Sequence, residues 1–151
     1  MSVLNGHVEV VKLLLDNKAD VNLSTPSDGV TPLWIAAQEG HVEVVKLLLD
    51  NKADVNVSRP SDGDTPLIMA AANGHVEVVK LLQDNKADVN VSATSDGVTP
   101  LIMAAWKGHV EVVNLLIANK ADVNARLKFF GKKPIDAARR NGHLDIVKLL
   151  Q

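Results

Sequence analysis

The chain has 151 residues, of which 46% are hydrophobic and none is cysteine, and 16 Lys and Arg against 18 Asp and Glu give a formal net charge of -2. This length suits one domain, and the lack of cysteine excludes disulfide frameworks, thiolate metal sites and cysteine nucleophiles. This net charge argues against an overall positive electrostatic potential that would hold the whole chain on nucleic acid or an anionic membrane. We see no apolar run of 18 residues and no signal peptide, so we expect a cytoplasmic or nuclear protein.

A long repeat organises the chain. The sequence GHVEVVKLLLDNKADVN at Gly6 to Asn22 recurs unchanged at Gly40 to Asn56. Further Gly-His pairs follow at Gly74, Gly108 and Gly142, which makes a strict interval of 34 residues. A period of about 20–50 residues indicates a solenoid, in which each unit buries its apolar face against its neighbours.

The first predicted element is a helix over residues 7–16. It carries Val10, Val11, Leu13 and Leu14 as the apolar stripe of a core-facing helix. No other predicted helix precedes it, so we expect part of the stripe to face solvent or another molecule.

A loop and a short helix come next. Residues 23–29 read LSTPSDG, which predicts an extended segment that ends in an Asp-Gly turn. In the following TPLWIAAQEG, Thr31 suits the N-cap, Pro32 the first helical position and Gly40 a left-handed C-terminal residue. These signals predict a helix of about two turns.

The helix near Val42 to Asp50 completes the unit. Its Val44, Val45, Leu47 and Leu48 have the spacing of a helix that faces a core. Each period therefore consists of two helices and a loop, and the fold class is all-α.

The motifs that surround this unit have a specific family resemblance. The segments DGVTPL at Asp28 to Leu33, DGDTPL at Asp62 to Leu67 and DGVTPL at Asp96 to Leu101 are each followed by Ala-Ala, GHVEVV and ADVN. Together they closely resemble the ankyrin repeat over nearly the whole chain. The resemblance implies stacked helix-turn-helix units with β-turn finger loops, and a concave face made of fingers and first helices. It also implies a module without catalytic activity that binds other proteins.

The same pattern sets the repeat boundaries within a single domain over residues 1–151. We assign a partial repeat to residues 1–27, complete repeats to 28–61, 62–95 and 96–129, and a last repeat to 130–151. The family period is 33, and the additional residue here lengthens each finger by one.

Two further departures affect the expected geometry. Where the family has Gly near the end of the second helix, this chain has Lys18, Lys52, Lys86 and Lys120, and we expect these lysines to adopt positive φ. Where the family has His after Thr-Pro-Leu, this chain has Trp34, for which we predict a packing role between repeats.

Metal and catalytic sites are not expected, and no cofactor is predicted. Each of the five histidines follows a helix-ending glycine, and equivalent residues of stacked repeats lie roughly 8–10 Å apart, too far to share an ion. We interpret them as structural residues. The resemblance also implies that the asparagine of each ADVN segment bonds to backbone within its own finger.

Partner-binding residues are expected where the copies differ, because positions that repeat are occupied by the stack. The candidates are Val30, Gln38, Glu39, Arg59, Asp64, Ala72, Asn73, Val98, Trp106, Lys107, Arg126, Lys128, Phe129, Phe130, Lys132, Arg139 and Arg140.

Two of these candidate groups have a structural alternative. Trp106 is of the residue type most common in interface hot spots, but packing against the position of Arg140 or a finger is the alternative. Phe129 and Phe130 belong to a basic finger, but one or both could instead cover the end of the stack.

We therefore favour a monomeric module that binds another protein, with no small-molecule substrate and no membrane insertion. The alternatives are contact with nucleic acid or phosphoinositide through the basic C-terminal end, and an architectural spacer from a longer ankyrin array. Weak association through the first helix is also expected if its apolar stripe is open.

Overall fold

The computed structural model describes residues 3 and 5–151, and this part of the chain contains nine helices and no strand. The helices are α1 (Val8–Asp16), α2 (Pro32–Glu39), α3 (Val42–Asp50), α4 (Pro66–Ala72), α5 (Val76–Asp84), α6 (Pro100–Lys107), α7 (Val110–Ala118), α8 (Pro134–Arg140) and α9 (Leu144–Leu150). The predicted all-α arrangement of helix pairs is confirmed. None of these nine helices has the length and apolar character needed to span a bilayer.

The helices form two layers. The short helices α2, α4, α6 and α8 pack side by side in one layer, and the helices α1, α3, α5, α7 and α9 form the other. Fully buried alanine pairs such as Ala36 and Ala37 lie on the short helices, and Val44, Val45 and Leu48 represent the second layer in the same core. Small side chains in one layer allow the two layers to approach closely. We call the exposed surface of the short helices and the finger loops the concave face.

The short helices begin where the sequence predicts. The Oγ1 atom of Thr31 accepts a hydrogen bond from the backbone N–H of Trp34 at 3.3 Å, and Pro32 follows at the first helical position. Gly40 ends the helix with φ of 76°. In α8 a lysine, Lys133, stands in place of this threonine, and the Oδ2 atom of Asp136 instead accepts a bond from the Lys133 N–H at 3.0 Å.

Helix α1 exposes most of its apolar stripe. Val11 is buried, whereas Val10, Leu13 and Leu14 are exposed, as the sequence predicts for a helix without a short helix beside it. The stripe is a surface patch in the described part of the chain.

The four lysines near the helix ends adopt the left-handed conformation. Lys18, Lys52, Lys86 and Lys120 have φ of 64°, 67°, 66° and 67°. Each follows an asparagine that ends a helix, and the next residue closes the turn, as when the N–H of Ala53 donates to the carbonyl of Leu48 at 2.9 Å. This is the 6→1 bond of a Schellman motif, whose left-handed position favours glycine. The prediction of positive φ is confirmed.

Replacing Lys52, Lys86 and Lys120 by glycine is therefore expected to stabilise the protein. Each change removes a steric cost of roughly 1 kcal/mol but increases the entropy of the unfolded chain and removes a favourable charge at the helix end, for a net gain of about 0.3–0.8 kcal/mol. Since the three sites are far apart in the stack, the gains should add, and thermal unfolding should show a rise of several degrees.

The matched control is Lys46→Gly, the same chemical change inside α3. It should lower the free energy of unfolding by about 1 kcal/mol, since glycine disfavours a helix interior. A triple glycine variant that melts below the wild type would contradict the argument.

Candidate protein-binding site

The repeated histidines are held in contacts between repeats. The Nε2 atom of His75 donates to the carbonyl of Gln38 at 2.9 Å, and that of His109 donates to the carbonyl of Ala72 at 3.0 Å. The His75 ring also lies against Gly40, where an added Cβ would come within 2.6 Å of it. Gly40 is thus required both by its positive φ and by the neighbouring ring. These contacts support the interpretation of His75 and His109 as structural residues.

The asparagines of the ADVN segments also join repeats, which corrects an expectation. We expected these side chains to bond within their own finger. Instead the Oδ1 atom of Asn56 accepts from the N–H of Asp88 at 2.9 Å, 32 residues further on, and Asn22 and Asn90 do the same in their repeats.

The finger loops form a second line of contacts along the concave face. In one finger the Arg59 N–H donates to the carbonyl of Asp64 at 2.8 Å and closes the loop. The next finger attaches to it, because the N–H of Thr94 donates to the carbonyl of Asp62 at 2.8 Å. The equivalent residue one repeat earlier is Pro60, which has no N–H and instead packs against Gly29.

Trp34 packs between repeats, as predicted. Its side chain is buried, and its Nε1 atom donates to the carbonyl of Asp64 at 3.0 Å. The guanidinium of Arg59 lies 4.7 Å from the centroid of the Trp34 ring. Arg59 also forms ion pairs with Asp62 and Asp64. Two predicted partner-binding residues, Arg59 and Asp64, are therefore engaged in an internal cluster and are only partly exposed.

This cluster shifts the pKa values of two carboxyl groups in opposite directions. Burial raises the pKa of Asp64 above its usual value, the nearby Asp62 carboxylate adds to the rise, and Arg59 opposes it. The hydrogen bond from Arg59 lowers the pKa of Asp62. The ionised form of Asp64 is consequently disfavoured in the folded protein. The other two complete repeats have valine at this position.

Three of the predicted partner-binding residues are buried, which corrects the expectation that their side chains contact a partner. Val30 and Val98 are each only 5% exposed, and Ala72 is 9% exposed. Val98 packs with Ala93 of the same finger and with Ile68 of α4. The side chains of these three residues offer little surface to a partner. Gln38 is half-buried, and Glu39 and Asn73 are exposed on the same face.

Four other predicted residues come together in one cleft of about 410 Å³ between α6, α8 and the last finger. They are Trp106, Lys132, Arg139 and Arg140. Sequence reasoning missed the other four lining residues, which are Ile102, Leu127, Asp136 and Ala137. Leu127 could have been found, because the equivalent finger positions hold Thr25, Arg59 and Ala93 and so vary between copies.

Trp106 is the largest exposed apolar side chain of this cleft. It is 47% exposed, and the Nζ atom of Lys107 lies 6.0 Å from the centroid of its ring. Its backbone carbonyl accepts bonds from the side chains of Asn141 and His143, each at 2.9 Å. The backbone is thereby held by the last repeat while the indole stays open to solvent.

The remaining candidates lie in the last finger, beside the cleft. Phe129 and Phe130 are 75% and 78% exposed, so neither covers the end of the stack. Arg126 donates to the carbonyl of Gly131 at 2.8 Å, and Lys128 donates to the carbonyl of Thr94. These two bonds attach the basic finger to itself and to its neighbour.

A comparison with protein families agrees with this geometry. The model described as "Ankyrin repeats (3 copies)" matches residues 1–59, 53–127 and 92–151. The chain belongs to the ankyrin-repeat family. A search of curated proteins found no match. Ankyrin repeats are generally protein-protein interaction modules, and the family is generally non-enzymatic.

The Asp64 cluster makes a prediction about pH in this ankyrin domain. Because the folded protein holds the Asp64 proton more tightly than the unfolded chain, stability falls as the pH rises through the raised pKa. Asp64→Asn should therefore raise the free energy of unfolding at pH 7, seen as a higher melting temperature than that of the wild type. The gain should shrink as the pH is lowered and Asp64 becomes protonated.

Asp62→Asn is the matched control with the opposite sign. Its lowered pKa stabilises the fold above the ordinary aspartate pKa, so this variant should melt lower at pH 7 and approach the wild type in acid. The explanation fails if Asp64→Asn melts lower than the wild type at pH 7.

Proposed function

We propose that this ankyrin domain binds another protein through its concave face, and that the cleft around Trp106 is the centre of the contact. The observation that carries the proposal is the exposure of Trp106 at a position that differs between repeats. A half-exposed indole beside buried aliphatic groups gains apolar contacts when a partner covers it, and tryptophan is common in interface hot spots.

The surroundings of Trp106 support this role. Ile102 is fully buried at the base of the cleft, while Arg140 and Lys132 are exposed at its edge. An apolar centre with a polar rim is the arrangement found in protein interfaces. Binding of this kind requires no catalytic group. The contacts made by the repeated residues account only for the stacking of the repeats.

A second candidate function is contact with nucleic acid or phosphoinositide headgroups through the last finger. The exposed Phe129 and Phe130 among the basic residues Arg126, Lys128 and Lys132 favour it, because aromatic rings and cations together suit stacked bases and phosphates. A steep loss of affinity with ionic strength would distinguish this contact from apolar protein binding.

The proposal predicts that a Trp106→Ala, Arg140→Ala double variant loses its protein partners. In an affinity pull-down from a lysate of cells that express the protein, the specific partners should be depleted at least about tenfold, since truncated hot spots typically cost 2 kcal/mol or more. The readout is quantitative mass spectrometry of the retained proteins.

The matched control is Leu144→Ala, Lys148→Ala, which removes one exposed apolar side chain and one cation from α9 in the opposite layer. It should retain the partners. Loss of the partners in the α9 variant, with retention in the Trp106 variant, would place the binding surface on the layer that contains α9 and would contradict the proposal.

A further inference from the structure

We propose that the cleft around Trp106 binds a short acidic peptide segment of the partner, with one apolar side chain of that segment inserted against Trp106. This inference rests on the proposed function and specifies the chemistry of the partner. It follows from the charges of the cleft, its apolar base and the acidic surface beside it.

The cleft presents more cations than its single carboxylate can pair. Among its lining residues Asp136 is the only acid, and it accepts from the Lys133 N–H at 3.0 Å and lies 3.7 Å from Arg139. Lys132 and Arg140 form no ion pair with any residue that the structure describes. Two exposed cations are thus available to carboxylates of a ligand, and such pairs direct both orientation and association.

The base of the cleft suits an apolar side chain. Ile102 is buried, Leu127 and Ala137 are half-buried, and the Trp106 indole forms one wall. A volume of about 410 Å³ is within the range of about 300–1,000 Å³ seen for ligand pockets. An acid without an apolar group would leave these side chains in water, so the ligand combines both features.

The cations continue beyond the cleft, which favours a chain of several residues over a small acid. Lys107 lies beside Trp106, and Arg126 and Lys128 lie in the adjoining finger. In an extended peptide every second side chain points to the same face, roughly 6.6 Å further along, so acidic residues at alternate positions can lie against different cations.

The rest of the concave face limits the length of the acidic segment. The preceding fingers carry Asp28, Asp62, Asp64 and Asp96 against the single cation Arg59, which pairs with Asp62 and Asp64, and Glu39 is exposed on α2. These carboxylates would repel a long polyanion that runs along the face. The occupant is therefore a local acidic stretch with neutral or basic neighbours, and a nucleic acid strand fits this pattern less well.

The test is a selection from a phage-displayed library of random twelve-residue peptides on immobilised wild-type protein. The enriched peptides are then synthesised with a fluorescent label, and their affinities are measured by anisotropy. We expect sequences with several Asp or Glu residues around one large apolar residue. Lys132→Glu, Arg140→Glu should weaken them at least about tenfold, because charge pairs become repulsions.

The control is Lys12→Glu, Lys148→Glu, which makes the same change in net charge on two helices of the opposite layer. It should leave the affinities within about twofold. Trp106→Ala should also weaken the selected peptides, whereas it would have little effect on purely electrostatic binding.

The outcomes separate this inference from the proposed function. The inference of an acidic segment would be overturned if the enriched peptides were not acidic. It would also be overturned if the charge reversal left their affinity unchanged while other exposed residues of the concave face were required. Either result would leave the proposed protein-binding face intact. Peptides that depend on Leu144 and Lys148 of α9 would overturn both. No enrichment at all would overturn the acidic segment and leave the protein-binding face to the pull-down test. Binding of a single-stranded oligonucleotide or a phosphoinositide vesicle at this cleft, with no peptide binding, would also overturn the inference.

Discussion

The contact between each histidine ring and the glycine of the preceding repeat sets the spacing on which the rest of the structure depends. The ring of His75 occupies the space where a Cβ of Gly40 would lie, and its Nε2 atom bonds to a carbonyl 37 residues earlier. The helices of one repeat cannot come closer to the next, because the ring intervenes, and cannot move away without breaking the bond. The asparagine hydrogen bonds and the finger contacts depend on the same distance between repeats, because they link the same pairs of neighbouring repeats.

This constraint separates the residues that hold the stack from those that are free to differ. The repeated Thr, His and Asn side chains form hydrogen bonds within or between repeats, and the repeated glycines adopt positive φ, so the geometry of the stack requires these residues in each copy. Variation is tolerated where a side chain leaves the stack, as at Trp106 and Arg140 on the concave face. The last repeat varies most, and its cations lie around the cleft that also contains the exposed indole of Trp106.

The sequence predicted local features well because they depend on neighbours along the chain. The start of α2 at Pro32 and its end at Gly40 follow from caps and turns of a few residues, and the positive φ of Lys52 follows from the family resemblance, which has glycine at that position. Features that depend on the distance between repeats were predicted less well. The burial of Val98 and the bond from Asp88 to Asn56 arise from a neighbour about 30 residues away, and the cleft requires α6, α8 and a finger together.

The central claim is that repeated residues hold the fold while Trp106 is free to bind, and thermal unfolding of two single variants tests it most directly. His109→Ala should melt roughly 3–10 °C below the wild type, because the carbonyl of Ala72 loses its partner at a cost of about 1–3 kcal/mol. Trp106→Ala should melt within about 2 °C of the wild type, as expected for an exposed side chain. The account would be contradicted if Trp106→Ala lowered the melting temperature as much as His109→Ala, since Trp106 would then be a packing residue of the stack.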